Sequence, residues 1–88
     1  MGRLPPAGRG RMTRFFFDLR DSRGWYKDKI GELLETVDDA RIQAQALLSD
    51  IAGDEMPAGD AYQILCEVRD EGDRLVYRGT LTYAGVQF

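Results

Sequence analysis

Residues 61–83 read AYQILCEVRDEGDRLVYRGTLTY. Side chains in a strand alternate between two faces. Tyr62, Ile64, Cys66 and Val68 therefore share one face, and Gln63, Leu65, Glu67 and Arg69 the other. Asp70-Glu71-Gly72-Asp73 is a turn cluster, and Arg74 to Tyr83 is the return strand. A two-residue loop at Glu71-Gly72 pairs Val68 with Leu75, Cys66 with Tyr77 and Ile64 with Gly79. That register puts the apolar residues of both strands on one side. The stretch is an antiparallel hairpin with one face made for a core.

The rest of the chain supplies what covers that face. Thr36 to Ile51 has helical spacing: Val37, Ala40, Ala44, Leu47, Leu48 and Ile51 recur at steps of three and four. Thr36 is placed to cap the helix, and Asp38 and Asp39 sit at its positive end. Gly53 is the expected terminator, and Pro57 and Gly59 mark a loop. Thr13 to Arg20 alternates as a strand, with Phe15, Phe17 and Leu19 on one face. Asp21-Ser22-Arg23-Gly24 is a turn, and Trp25 to Asp28 a short second strand. Residues 29–35 read either as a loop or as a brief strand through Ile30 to Leu34.

The order is β-β-α-β-β. A helix with one apolar stripe must bury it, and one face of the sheet is the simplest place. The expected fold is α+β: a small, mainly antiparallel sheet of three to four strands with one helix on one face. The first and third long strands are apolar on both sides and belong at the centre. Trp25–Asp28 and Arg74–Thr82 belong toward the edges. The expected core is Phe15, Phe17, Leu19, Ala40, Ala44, Leu47, Leu48, Ile51, Ile64, Cys66, Val68, Leu75 and Tyr77.

The 88 residues make one domain, expected over 12–88. There is no histidine, so no Ser-His-Asp triad, histidine base or histidine metal ligand can be built. The single cysteine cannot form an internal disulfide and suits a reducing compartment, so the cytoplasm is expected. No apolar run approaches the roughly 20 residues of a membrane span. Residues 1–11 carry three arginines, three glycines, two prolines and no acid, and read as a flexible basic tail. Met12 is an alternative start. Without that tail the balance is 9 basic against 15 acidic residues, or −6, which repels phosphate backbones.

Four groups of residues invite a chemical reading. Asp18, Asp21 and Asp28 surround the first turn and could offer oxygen ligands to Mg²⁺ or Ca²⁺. No calcium-loop spacing is present, and aspartate belongs in turns for its own hydrogen bonding, so no metal is expected. Cys66 lies on the core face with no histidine or adjacent lysine to activate it, and reads as a buried structural thiol. Trp25 and Tyr26 serve equally as partner anchors or as closers of a small core's rim. Phe16, Leu65 and Val76 share the parity that points away from the helix. They form a candidate contact surface with Trp25, to which pairing of an edge strand would add backbone bonds.

Met12-x-Arg14-Phe15-Phe16-Phe17-x-Leu19-x-Asp21 resembles the opening of a family of small bacterial proteins of unknown function. Asp28-x-x-Gly31-x-Leu33, Asp39-Ala40-x-x-x-Ala44 and Glu67-Val68-Arg69-Asp70-Glu71 extend the resemblance over residues 12–83. Such a family implies no site residues. Asp28, Gly31, Thr36, Asp38, Asp39 and Ala40 are also similar to residues of the HicB-type antitoxins, though the turn-to-helix spacing is shorter and no DNA-binding helix follows.

The sequence therefore points to a small non-catalytic module with no cofactor and no evident small-molecule substrate. Its expected partner is another protein or a second copy. The alternatives are a nucleic-acid-associated regulator using the arginine tail, an antitoxin-like partner of a small toxin, and a carboxylate-based hydrolase.

Overall fold

The computed structural model describes residues 12–55 and 61–88. The elements are β1 (Thr13–Asp21), β2 (Gly24–Tyr26), β3 (Glu32–Leu34), α1 (Val37–Glu55), β4 (Ala61–Arg69) and β5 (Leu75–Ala84). They form an antiparallel five-stranded sheet of order β2-β1-β4-β5, with β3 also paired to β1. The helix lies against β4 and β5 on one face. The fold is α+β as expected, with β1 and β4 central. The short segment at 32–34 is a strand, so the sheet has five strands rather than three to four. The expectations for the tail at 1–11 and for the loop at Pro57 and Gly59 fall outside the described residues.

Thr36 caps α1: its Oγ1 accepts the Asp39 N–H at 3.0 Å. Ala40 and Ala44 are fully buried, so small side chains bring the helix close to the sheet. Leu48 enters above Gly79, where an added Cβ would stand 3.3 Å from Leu48 Cδ1. The core is Phe15, Phe17, Ala40, Ala44, Leu48, Tyr62, Ile64, Cys66 and Val68. Leu19, Leu47, Ile51 and Tyr77 are half-buried against it. Val37, at the start of the apolar stripe, is instead 46% exposed. Gly53 does not end the helix, which continues to Glu55. A helical glycine costs only about 1 kcal/mol against alanine and is no stop by itself.

The β4–β5 register differs from the sequence expectation by two residues. Val68 pairs with Tyr77, Cys66 with Gly79 and Ile64 with Leu81. The cause is a longer turn organised by Asp70. Its carboxylate Oδ1 accepts the N–H groups of Gly72 at 2.9 Å and Arg74 at 3.0 Å. The left-handed position is taken by Asp73 (φ 64°), not by Gly72. A shift of two preserves parity, so the apolar faces still coincide. A bulge at Val68/Arg69 then pairs Arg69 with Leu75 and leaves Val76 as the extra residue. The bulge exchanges the two side chains. Val76 packs against the core, and Leu75, expected in the core, is 49% exposed.

Candidate functional site: a buried ion pair and an open sheet edge

β2 and β3 both pair along the outer edge of β1, β3 at Thr13–Phe15 and β2 at Leu19–Asp21. Between them, among the described residues, the edge of β1 has no strand partner. Asp28 fills the gap with a side chain. Its Oδ2 accepts the Phe17 N–H at 3.0 Å, while Oδ1 accepts those of Ile30 at 3.0 Å and Gly31 at 3.1 Å. The loop can close this tightly because residue 31 is glycine. Its φ is +73°, and a Cβ there would lie 2.8 Å from the Phe15 carbonyl oxygen.

Asp18 projects from the opposite face of β1 to Phe17 and is 2% exposed. Its carboxylate accepts from Arg69 Nε at 2.7 Å, Arg69 Nη2 at 3.0 Å and the Asp28 N–H at 2.9 Å. This is the two-pronged pairing that a guanidinium fork favours. Arg69 Nη2 also donates to the Asp28 carbonyl at 3.0 Å, and Nη1 to Asp73 at 3.0 Å. The guanidinium lies 4.9 Å from the Phe16 ring centre, in cation–π range. One arginine thus ties together β1, the β2–β3 loop, β4 and the β4–β5 turn.

The electrostatics follow from this geometry. Burial alone would raise the Asp18 carboxyl, but Arg69 and the Asp28 N–H outweigh it and hold it below its ordinary value. Asp28 shows the same opposition: burial raises it, and the three backbone N–H donors bring it down. Arg69 is raised above its ordinary value, chiefly by its hydrogen bond to Asp18. Arg23 lowers Asp21 through its side chain and N–H, and Arg74 does the same for Asp70, N–H first. Burial pushes the Cys66 thiol up to about 12, helped by the charges of Asp18, Asp28 and Glu67. A thiol held protonated in the core is a poor nucleophile.

All three aspartates have hydrogen-bond partners within the chain. Asp18 and Asp28 are committed to Arg69 and the backbone, and Asp21 to Arg23 at 2.6 Å. Among the described residues no group of His, Cys, Asp or Glu is arranged to hold a metal ion. Sequence reasoning missed Arg69 as the partner of Asp18. The signal was available: an acid in mid-strand and an arginine in the paired strand share one parity.

The candidate surface residues are not one patch. Register on the open face gives successive rows: Trp25, Arg20, Leu65 and Thr80; then Asp18, Glu67 and Arg78; then Phe16, Arg69 and Leu75. Leu65 and Phe16 are two rows apart, about 13 Å at the ordinary rise per residue. The row between them is charged, and Glu67 and Arg78 pair there at 2.6 Å. Phe16 lies beneath Arg69, and Val76 belongs to the core side. Trp25 is 45% exposed and stacks with Arg20 at 4.6 Å. It also lines a hollow of about 540 Å³ with Leu19, Tyr26, Ile51 and Ile64.

Among the described residues the outer side of β5 has no strand partner; β5 is a ten-residue strand with one charged side chain, Arg78, and no proline. Among the described residues no helix is long and apolar enough to cross a membrane.

The family model for a domain of unknown function (DUF6894) matches residues 14–82, and the chain belongs to that family. The match spans β1 through most of β5, including Asp18, Asp28, Gly31 and Arg69. No match was found among curated proteins or among solved structures.

Proposed function

We propose that this protein is a small non-catalytic interaction module that binds another polypeptide along the β5 side of its sheet. The observation that supports it is the ten-residue edge of β5, which has no strand partner among the described residues. Natural sheets blunt long edges with proline, bulges, several charges or a covering segment. Beyond the bulge at its start, β5 carries one charge and keeps regular register with β4. An incoming strand gains main-chain hydrogen bonds there, and the side chains on the open face set the specificity. The ion-pair cluster serves the fold instead: Asp18, Asp28 and Arg69 satisfy one another and the backbone.

Site-specific photo-crosslinking in the native cell tests this reading. A crosslinking amino acid at Thr82, on β5, should give a discrete adduct with another chain, identical or different. The same group at Ser49, on the exposed side of α1, should give none. Equal labelling from both positions, or none from Thr82, would overturn the proposal.

A further inference from the structure

We infer that the open face of the sheet carries a binding site for a small oxyanion, a carboxylate or phosphate group on a short apolar body, with Arg20 as its anchor. The inference is independent of strand addition at β5, because it uses side chains of the open face and not the backbone of the edge.

The partners of the arginines single out Arg20. Among the described residues, Arg14, Arg23, Arg41, Arg69, Arg74 and Arg78 each donate to an oxygen of the chain. Arg20 does not, although the chain has 15 acidic against 12 basic residues. Its guanidinium lies over the Trp25 ring, 4.6 Å from the centre. The two are direct cross-strand partners, so the β1–β2 pairing itself brings them together. Contact with a ring holds a guanidinium in place without using its N–H donors, and the planar fork suits a carboxylate or a phosphate.

The surroundings supply the rest of a site. A second hollow, of about 370 Å³, is lined by Arg20, Asp21, Ser22, Gln63, Leu65 and Thr80. Its volume falls at the lower end of the roughly 300–1,000 Å³ of small-ligand sites. Arg20, Leu65 and Thr80 form one row across β1, β4 and β5, with Leu65 half-buried in the middle as an apolar floor. Ser22 and Thr80 bring hydroxyls. Gln63 donates one amide N–H to Thr82 Oγ1 at 3.3 Å, which fixes the amide and leaves its second N–H for a ligand. The nearby acids do not compete for Arg20. Asp21 takes the opposite parity, and its two carboxylate oxygens accept the N–H, Nε and Nη2 of Arg23. Glu67, one row along, pairs with Arg78 at 2.6 Å. One cation, several neutral donors and an apolar floor match an anionic head on an apolar body.

Nuclear magnetic resonance of the isotope-labelled full chain at neutral pH reads the site, with sodium chloride at matched ionic strength as the blank. The probes are inorganic phosphate, benzoate and phenyl phosphate. Saturable shifts should appear at Arg20 Nε–H, the Trp25 indole N–H and the backbone N–H groups of Ser22 and Thr80. Stronger binding of phenyl phosphate than of benzoate identifies the head as phosphate, and the reverse order as carboxylate. Arg20→Gln should weaken the better probe by about tenfold or more, the scale of a lost charged hydrogen bond. Arg41→Gln removes the same charge from the helix and should leave the binding unchanged. Circular dichroism of both variants confirms the fold. Shifts that only grow in proportion to concentration, as with chloride, mean an adventitious ion only and overturn the inference. Saturable binding that survives Arg20→Gln overturns it too, and inorganic phosphate binding as well as phenyl phosphate overturns the apolar floor.

Discussion

Replacing Arg69 by methionine isolates the contribution of the buried ion pair. Methionine keeps much of the apolar contact over Phe16 and removes the guanidinium. Asp18, 2% exposed, would keep only the Asp28 N–H as a donor from the present set. The Asp28 carbonyl and Asp73 would lose their Arg69 donors too. Removing one member of a buried pair costs about 3–5 kcal/mol, because the remaining charge is stranded away from water. That is a large part of the roughly 5–15 kcal/mol total stability of a domain. Arg78→Met is the control. It breaks the Glu67–Arg78 pair, whose arginine side chain is 54% exposed, and should cost below about 1 kcal/mol. Urea unfolding, followed by the fluorescence of the single tryptophan, Trp25, separates the two. With a slope of about 1–3 kcal/mol per molar urea, Arg69→Met should lower the midpoint by about 1 M or more. Asp18→Asn combined with Arg69→Met should recover part of the loss, since no buried charge remains. If Arg69→Met costs no more than Arg78→Met, the pair does not hold these elements together and the argument fails.

Acid should act through the same carboxylates. Asp18, Asp21, Asp28 and Asp70 all lie below their ordinary values in the folded chain. The unfolded chain takes up protons first, so their stabilisation is full above about pH 4–5 and is lost as pH falls through the folded values. Melting temperature should be nearly flat from neutrality to about pH 5 and drop steeply below about pH 4, less steeply in Asp18→Asn; an unchanged slope would place the acid sensitivity elsewhere. Leu48→Ala should cost about 2–5 kcal/mol, the range for a buried leucine, and Leu75→Ala about 0.5 kcal/mol or less. Chemical denaturation of both variants checks the exchange of faces that the bulge produces, and equal losses would contradict it. Gly31→Ala should destabilise by more than the roughly 1–2 kcal/mol of left-handed strain alone, because its Cβ also meets the Phe15 carbonyl. A thermal melt within 2 °C of wild type, by about the scale of a surface change, would refute that.

The parts of this fold that repeat were legible in the sequence. Alternation gave the three long strands, the three-and-four spacing gave the helix, and Thr36 gave its cap. Apolar residues on both sides of β1 and β4 placed them centrally. The parts set by single side chains were not legible. Asp70 lengthened the turn and moved the hairpin register by two, which alternation alone cannot detect because it preserves parity. The bulge at Val68/Arg69 then reversed Leu75 and Val76, so one member of the proposed surface went inside and one of the proposed core came out. Asp28 was read as a turn residue, yet its carboxylate stands in for a missing strand. The family resemblance beyond the opening included Asp28, Val68, Arg69 and Asp70 without giving them roles. The edge of β5 was visible only as an outer strand; which of its groups face outward required the hydrogen-bond pattern.

Residue-resolved amide hydrogen exchange of the purified protein in dilute solution tests the edge most directly. The N–H groups of Tyr77, Gly79 and Leu81 bond β4 and should exchange slowly. Those of Thr80 and Thr82 point away from β4 and should exchange fast. Exchange at Thr80 and Thr82 as slow as at Gly79 and Leu81 would show that the β5 edge is covered within the single chain and contradict the account.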